Sequence, residues 1–150
     1  MKKEIKQLIN LALSQKPTHK ILNLGKATKQ QTDFINQYTN EDVTGIQRHI
    51  DTSGIRHAIK LHGSPKTENP RGQIAINLDD FLLLPIILKT PDKIEYKGKN
   101  KLKQDVFLYT KQIDNIYFVA EAVRFSKKKG NKLIFETMYK RKKPTPKSWF

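Results

Sequence analysis

The chain has 150 residues, no cysteine, 37% hydrophobic residues, and 29 Lys and Arg against 14 Asp and Glu, a formal charge of +15. That length holds one domain whose core needs no disulfide or metal staple, and the lack of cysteine excludes disulfides, thiolate zinc sites and cysteine nucleophiles. No apolar run approaches the roughly 20 residues that span a bilayer, and no stretch sets a Lys/Arg face against a broad Trp/Phe/Leu face, so no membrane partner is expected. The opening stretch "MKKEIKQLINLAL" lacks a small-residue cleavage site, so secretion by the usual signal is not expected either. A surplus of Lys and Arg is what a polyanion binder needs, because phosphate contacts release counterions and supply affinity. The same surplus also fits a merely lysine-rich soluble surface.

In chain order, Ile5, Leu8, Ile9 and Ala12 recur at helical spacing and predict a first helix over residues 4–15. Phe34, Ile35 and Tyr38, after the cap residue Thr28, predict a second over 28–38, with Pro17 and Gly25 punctuating the connection. A third is expected in "SGIRHAIKLHG", residues 53–63, with Thr52 or Ser53 as N-cap and Gly63 past its end. On it Ile55, Ile59 and His62 share one face, and Arg56 and Lys60 another. After the polar loop "SPKTENPRG", the run "IAINLDDFLLLPIILKTPD" reads as a short strand and then a helix capped near Asn77 and stopped at Pro91. The period then changes. "KIEYKG", "DVFLYTK", "IYFVAEAVRF" and "KLIFETMYK" are rich in β-branched and aromatic residues and are separated by turn chemistry, which predicts an antiparallel meander. The expected fold is α+β: N-terminal helices packed on a four-stranded antiparallel sheet, one domain over residues 1–143, with residues 144–150 a basic flexible tail.

Candidate chemistry is concentrated on the third helix and the last strand. His57 and His62 are five apart and so project about 140° from each other, too far round the helix to grip one ion. His19 and His49 are isolated, and neither a metal site nor a cofactor is expected. His57 follows Arg56 and precedes Lys60, two cations that favour the neutral imidazole and hence a base near neutral pH. His62, on the Ile55/Ile59 face at the helix end, reads by position as a packed or capping histidine. On the last strand Leu133, Phe135, Thr137 and Tyr139 alternate with Ile134, Glu136, Met138 and Lys140. Thr137 and Tyr139 thus point the same way, either as hydroxyls for a phosphate or as strand-favouring residues at the edge of the core. Lys140 and Arg141 end that strand within reach of a substrate. Glu121 shares a face with Tyr117, Val119, Val123 and Phe125 and calls for a cationic partner or a function. Nucleophile-elbow, P-loop and dinucleotide-binding motifs are absent.

These segments, from "LGKATKQQTDFINQYTNEDVTGIQRHID" through "IRHAIKLHG", "RGQIAINLDDFLLLPIILKTPDKIEY" and "LYTKQIDNIYFVAEAV" to "FETMYK", resemble the phage-type branch of the barnase, EndoU, colicin and RelE-like endoribonucleases. Only the first twenty and last few residues fall outside the resemblance, and the RHxxKxHG helix together with the TxYK strand carries it. It implies a compact α+β nuclease used as a phage or mobile-element toxin or effector in the host or target cytoplasm. The matching active-site positions are Arg56, His57, Lys60 and His62 on the helix and Thr137, Tyr139 and Lys140 on the strand, which moves His62 from a packing role to a site role. Expected roles are His57 as base or acid, Arg56, Lys60 and Lys140 as phosphate and transition-state stabilisers, and Thr137 and Tyr139 as positioning donors. Arg124, Arg141 and Lys142 are further cations expected to bind substrate. The expected reaction is metal-independent cleavage of RNA, with tRNA a candidate substrate, to a 2',3'-cyclic phosphate; an acidic immunity or antitoxin protein is a candidate partner. A non-catalytic nucleic-acid-binding module, and a phage structural or host-takeover protein reusing the fold, are the other two readings.

Overall fold

The computed structural model describes residues 1–16 and 18–144; residues 145–150, most of the expected tail, lie outside the described residues. The described residues form five α-helices: α1 Lys2–Ala12, α2 Lys29–Ile35, α3 Thr52–His62, α4 Pro65–Glu68 and α5 Leu84–Lys89. They surround one face of a sheet built from β1 Ile21–Lys26, β2 Gln47–Asp51, β3 Lys93–Lys99, β4 Asp105–Ile113, β5 Asn115–Arg124 and β6 Lys132–Arg141. The helix starts follow from capping chemistry. The Thr28 hydroxyl accepts from Gln31 N–H while the Gln31 side chain accepts from Thr28 N–H, and Asn77 and Asp80 close the same reciprocal box ahead of the 3₁₀ turn Leu78–Leu83. For α3 the cap is Asp51, whose Oδ1 accepts from Gly54 N–H at 2.7 Å, rather than the expected Thr52 or Ser53.

The sheet order is β1-β2-β6-β5-β4-β3, with β2 and β6 parallel and every other pair antiparallel. This corrects the four-stranded antiparallel expectation: the meander β3 to β6 is there, but it belongs to a six-stranded mixed sheet. The two added strands carry weak sequence signals for physical reasons. In β1 the register shifts between Asn23 and Gly25, and Gly25 has φ +102°, so a bulge glycine reads as a break. In β2 the inward positions are Arg48 and Ile50, so a charged residue stands where alternation demands an apolar one.

The main core lies between the helices and one sheet face. It joins Ile5, Leu8 and Ile9 of α1 and Ile55 of α3 to Phe107, Tyr109, Val119, Leu133, Phe135 and Met138 of the strands. Burying a side chain of this size contributes about 1.5–3 kcal/mol. Arg48 enters this core with its charge answered: Nε donates to Glu121 Oε2 at 3.1 Å, and one Nη donates to Gln31 Oε1 at 2.8 Å. Glu121 is fully buried, so burial pushes its carboxyl up while the Arg48 charge pulls it down. Of the two readings open for Glu121, the cationic partner is the one the structure shows. Among the described residues no helix covers the opposite sheet face; there the buried Leu108, Phe118 and Ala120 cluster with Val106, Ile116 and Tyr139.

One irregularity in β6 decides which residues reach that open face. Ala120 pairs with Thr137 but Glu121 pairs with Phe135, so Glu136 is an extra residue in the ladder, a β-bulge. The bulge reverses the alternation. Leu133 and Phe135 point into the core, as do Met138 and Lys140, whereas Thr137 and Tyr139 share the open face with Ala120 and Phe118. The single alternating face expected for Leu133, Phe135, Thr137 and Tyr139 is therefore corrected: the last two keep a common direction, opposite to the first two.

Candidate active site

The site forms where β2 ends. The strand pairs with β6 only over Gln47–His49 opposite Lys132–Ile134, and the chain then turns directly into α3. Helix α3 takes over the place beside β6 that β2 vacates. The approach is close enough that a Cβ on Gly54 would stand 3.0 Å from Phe135 Cδ1, which is why the first turn carries glycine. Ile55 and Ala58 face the core, and His57 and Lys60 are exposed.

A hollow of about 530 Å³ opens between α3, β6, β5 and the β3–β4 turn. His57 and Ser53 line it from α3, Glu136 from the β6 bulge, Arg124 from β5, and Leu102 and Gln104 from the turn. Glu136 is held there, with Oε1 accepting from Asn100 Nδ2 at 2.7 Å. Neither His57 nor Arg124 has an ion-pair partner among the described residues. An imidazole, a fixed carboxylate and an uncommitted guanidinium thus border one hollow. That set offers two proton-transfer groups and one cation for a phosphate.

The other expected site residues fall in distinct places. Arg56 is half-buried and turned along its own helix, with Nη2 3.3 Å from Ser53 Oγ. Lys60 is exposed one turn along α3 from His57. His62 is buried: Nδ1 donates to Glu68 Oε1 at 2.6 Å, and its ring centroid lies 5.3 Å from that of Tyr139. Tyr139 stacks on Phe118 at 4.7 Å with the planes 11° apart, and the Arg141 guanidinium sits 5.1 Å from the Phe118 centroid. Burial raises the Tyr139 hydroxyl pKa against the pull of Arg141. Thr137 Oγ1 is buried with no hydrogen-bond partner among the described residues. Neither Thr137, Tyr139 nor His62 lines the His57 hollow. Lys142 is exposed just past β6.

Lys140 is a correction. It points to the helix side of the sheet, is 6% exposed, and puts Nζ 2.8 Å from Asp80 Oδ2, which also accepts from the Tyr117 hydroxyl through its other oxygen at 2.8 Å. Its charge is spent on anchoring the Leu78–Leu83 turn, so it does not reach a substrate on the open face.

Three residues carry no site signal in the sequence pattern. Glu136 is detectable in principle: the buried positions Leu133, Phe135 and Met138 step by two and then by three, which is the mark of a bulge. Glu68, the partner of His62, lies in a polar loop that gives no sign of folding back. His49 lies on the open face beside Ile134, and its pKa is lowered by burial and then by Lys132 and Arg124.

Among the described residues no group of three or more His, Asp or Glu side chains is placed to hold a metal ion, and no helix is long and apolar enough to cross a membrane. A family model described as "phage-Barnase-EndoU-ColicinE5/D-RelE like nuclease3" matches residues 25–147. No curated protein and no solved structure gives a significant match.

Proposed function

The chain belongs to the phage-Barnase-EndoU-ColicinE5/D-RelE like nuclease family, and from that membership we propose that it is an endoribonuclease working from the hollow around His57. The observation that carries this reading is the convergence of His57, Glu136 and Arg124 on one space. In the proposed reaction the 2'-oxygen attacks the adjacent phosphorus as the Glu136 carboxylate takes its proton. The bond to the 5'-oxygen breaks as the His57 imidazolium delivers a proton to it, leaving a 2',3'-cyclic phosphate and a 5'-hydroxyl. Arg124 offsets the charge that builds on the non-bridging oxygens.

The surroundings support a polyanionic substrate. Lys60 on α3 and Arg141 at the end of β6 are exposed, and the +15 charge favours encounter with RNA. Tyr139, half-buried and stacked on the buried Phe118 with His62 on its α3 side, adds an aromatic surface near this region. A toxin or effector role in a target cell's cytoplasm, countered by an acidic antitoxin or immunity protein, follows from the same family and charge and is part of the proposal.

The experiment is cleavage of total tRNA and of a single-stranded RNA by the purified protein, with and without EDTA. The expected outcome is chelator-insensitive cleavage whose new 3' ends are cyclic phosphates. Binding without cleavage would instead identify a nucleic-acid-binding module, and absence of both would point to a structural role.

A further inference from the structure

The β3–β4 turn carries an arrangement that its own folding does not require. Leu102 is 76% exposed, whereas the other exposed large apolar side chains among the described residues reach at most 49%. It is flanked by Lys101 and Lys103, both exposed and neither in an ion pair among the described residues. Such a side chain gains nothing from the fold. Yet the backbone that presents it is held on all sides.

Asn100 does most of that holding. Its Oδ1 accepts from Leu102 N–H at 2.9 Å and from Gln104 N–H at 3.0 Å, while its Nδ2 donates to Gln104 Oε1 at 3.0 Å and to Glu136 Oε1 at 2.7 Å. The turn is also closed by Lys103 N–H to Asn100 C=O and Asn100 N–H to Gln104 C=O, both at 3.0 Å. Lys103 has φ +61°, a left-handed conformation that costs a non-glycine residue on the order of 1–3 kcal/mol. The sequence thus keeps a lysine where glycine would be relaxed, and it ties the tip to the carboxylate that lines the same hollow as His57. Leu102 and Gln104 form the rim of that hollow.

We propose that this turn is a substrate-reading element: Leu102 lies against the face of a nucleobase next to the cleaved phosphate of a single-stranded RNA, and Lys101 and Lys103 hold the phosphates on either side. The inference rests on the endoribonuclease reading. The chemistry selects this ligand. One isolated apolar side chain between two cations is too small for a protein-docking patch, but it matches a flat apolar base joined to anions at both ends. A preformed turn also avoids the cost of ordering a loop on binding.

The test compares wild type with Leu102→Ser and Leu102→Phe, positions exposed enough that folding is not at stake, on a single-stranded RNA. Steady-state cleavage gives KM and kcat. A 2'-O-methyl oligonucleotide containing 2-aminopurine, which cannot cyclise, reports base contact by fluorescence. The expectation is a KM about tenfold higher for Leu102→Ser with kcat within about twofold, a lost 2-aminopurine response, and recovery of both with Leu102→Phe. Wild-type KM and fluorescence in Leu102→Ser would overturn the base contact while leaving the nuclease reading intact, as would a loss confined to kcat. If the wild-type protein neither cleaves the RNA nor alters the fluorescence, both readings fall.

Discussion

His57 and His62 sit five residues apart on α3 in opposite surroundings. His57 is exposed in a hollow, and His62 is buried against a carboxylate with no exposed surface of its own, Glu68, whose other oxygen lies 3.5 Å from Arg71. Removing the imidazole of His62 leaves that carboxylate short of its principal donor, at a cost of roughly 1–3 kcal/mol. His62→Ala is therefore expected to lower the melting temperature by several degrees, measured by circular dichroism, while His57→Ala leaves it nearly unchanged. Equal melting temperatures for the two variants would contradict the assignment of a structural partner to His62. His49 gives a pH-dependent counterpart. Burial, Lys132 and Arg124 hold its folded pKa below the ordinary 6.5. The unfolded chain then takes up a proton that the folded protein refuses, so stability falls as pH drops through about 6.5 toward the folded value. His49→Gln is expected to flatten that part of the profile, read from urea midpoints between about pH 7.5 and about pH 5.5. An unchanged slope would assign the effect to other groups.

The elements that position the site are the β2–α3 junction and the β6 bulge. Gly54 lets the first turn of α3 lie on Phe135, and the bulge turns Glu136 toward the hollow and Thr137 and Tyr139 to the open face. Gly54→Ala must push α3 or Phe135 by a few tenths of an ångström. The expected result is a loss of cleavage larger than the loss of stability, because His57 moves relative to Glu136 and small misplacements are expensive in rate. Thermal melts and single-turnover rates on the same variant separate the two; a stability loss with full activity would show that this approach is not what aligns the groups. The four strands of the meander and the helical stretches after Thr28 and Asn77 were legible because capping and two-residue periodicity are local, and α3 was legible from its own periodicity although its cap is Asp51 and not Thr52 or Ser53. What was not legible depends on tertiary pairing. β2 hides its inward position behind Arg48, whose partner Glu121 lies 73 residues away, and β1 hides behind Gly25. His57 and Arg124 could be singled out as chemistry-bearing residues from composition and resemblance. Their meeting with Glu136 could not, since it needs a bulge and a turn that periodicity alone treats as an ordinary strand and an ordinary lysine-rich loop.

At the scale of the molecule, the two sheet faces have separate tasks. The helix-covered face buries the core and the Arg48–Glu121 and Lys140–Asp80 pairs. The opposite face carries the Phe118–Tyr139 stack and adjoins the hollow that, on the proposed reading, takes the substrate. On the proposed mechanism, proton transfer at this hollow cleaves RNA. It is tested most directly by single-turnover cleavage of a single-stranded RNA, with affinity measured in parallel at one fixed salt concentration, for wild type and His57→Ala. The predicted result is cleavage at least about a hundredfold slower with affinity nearly unchanged, the size of a lost general acid. A His57→Ala protein that cleaves as fast as wild type would contradict it.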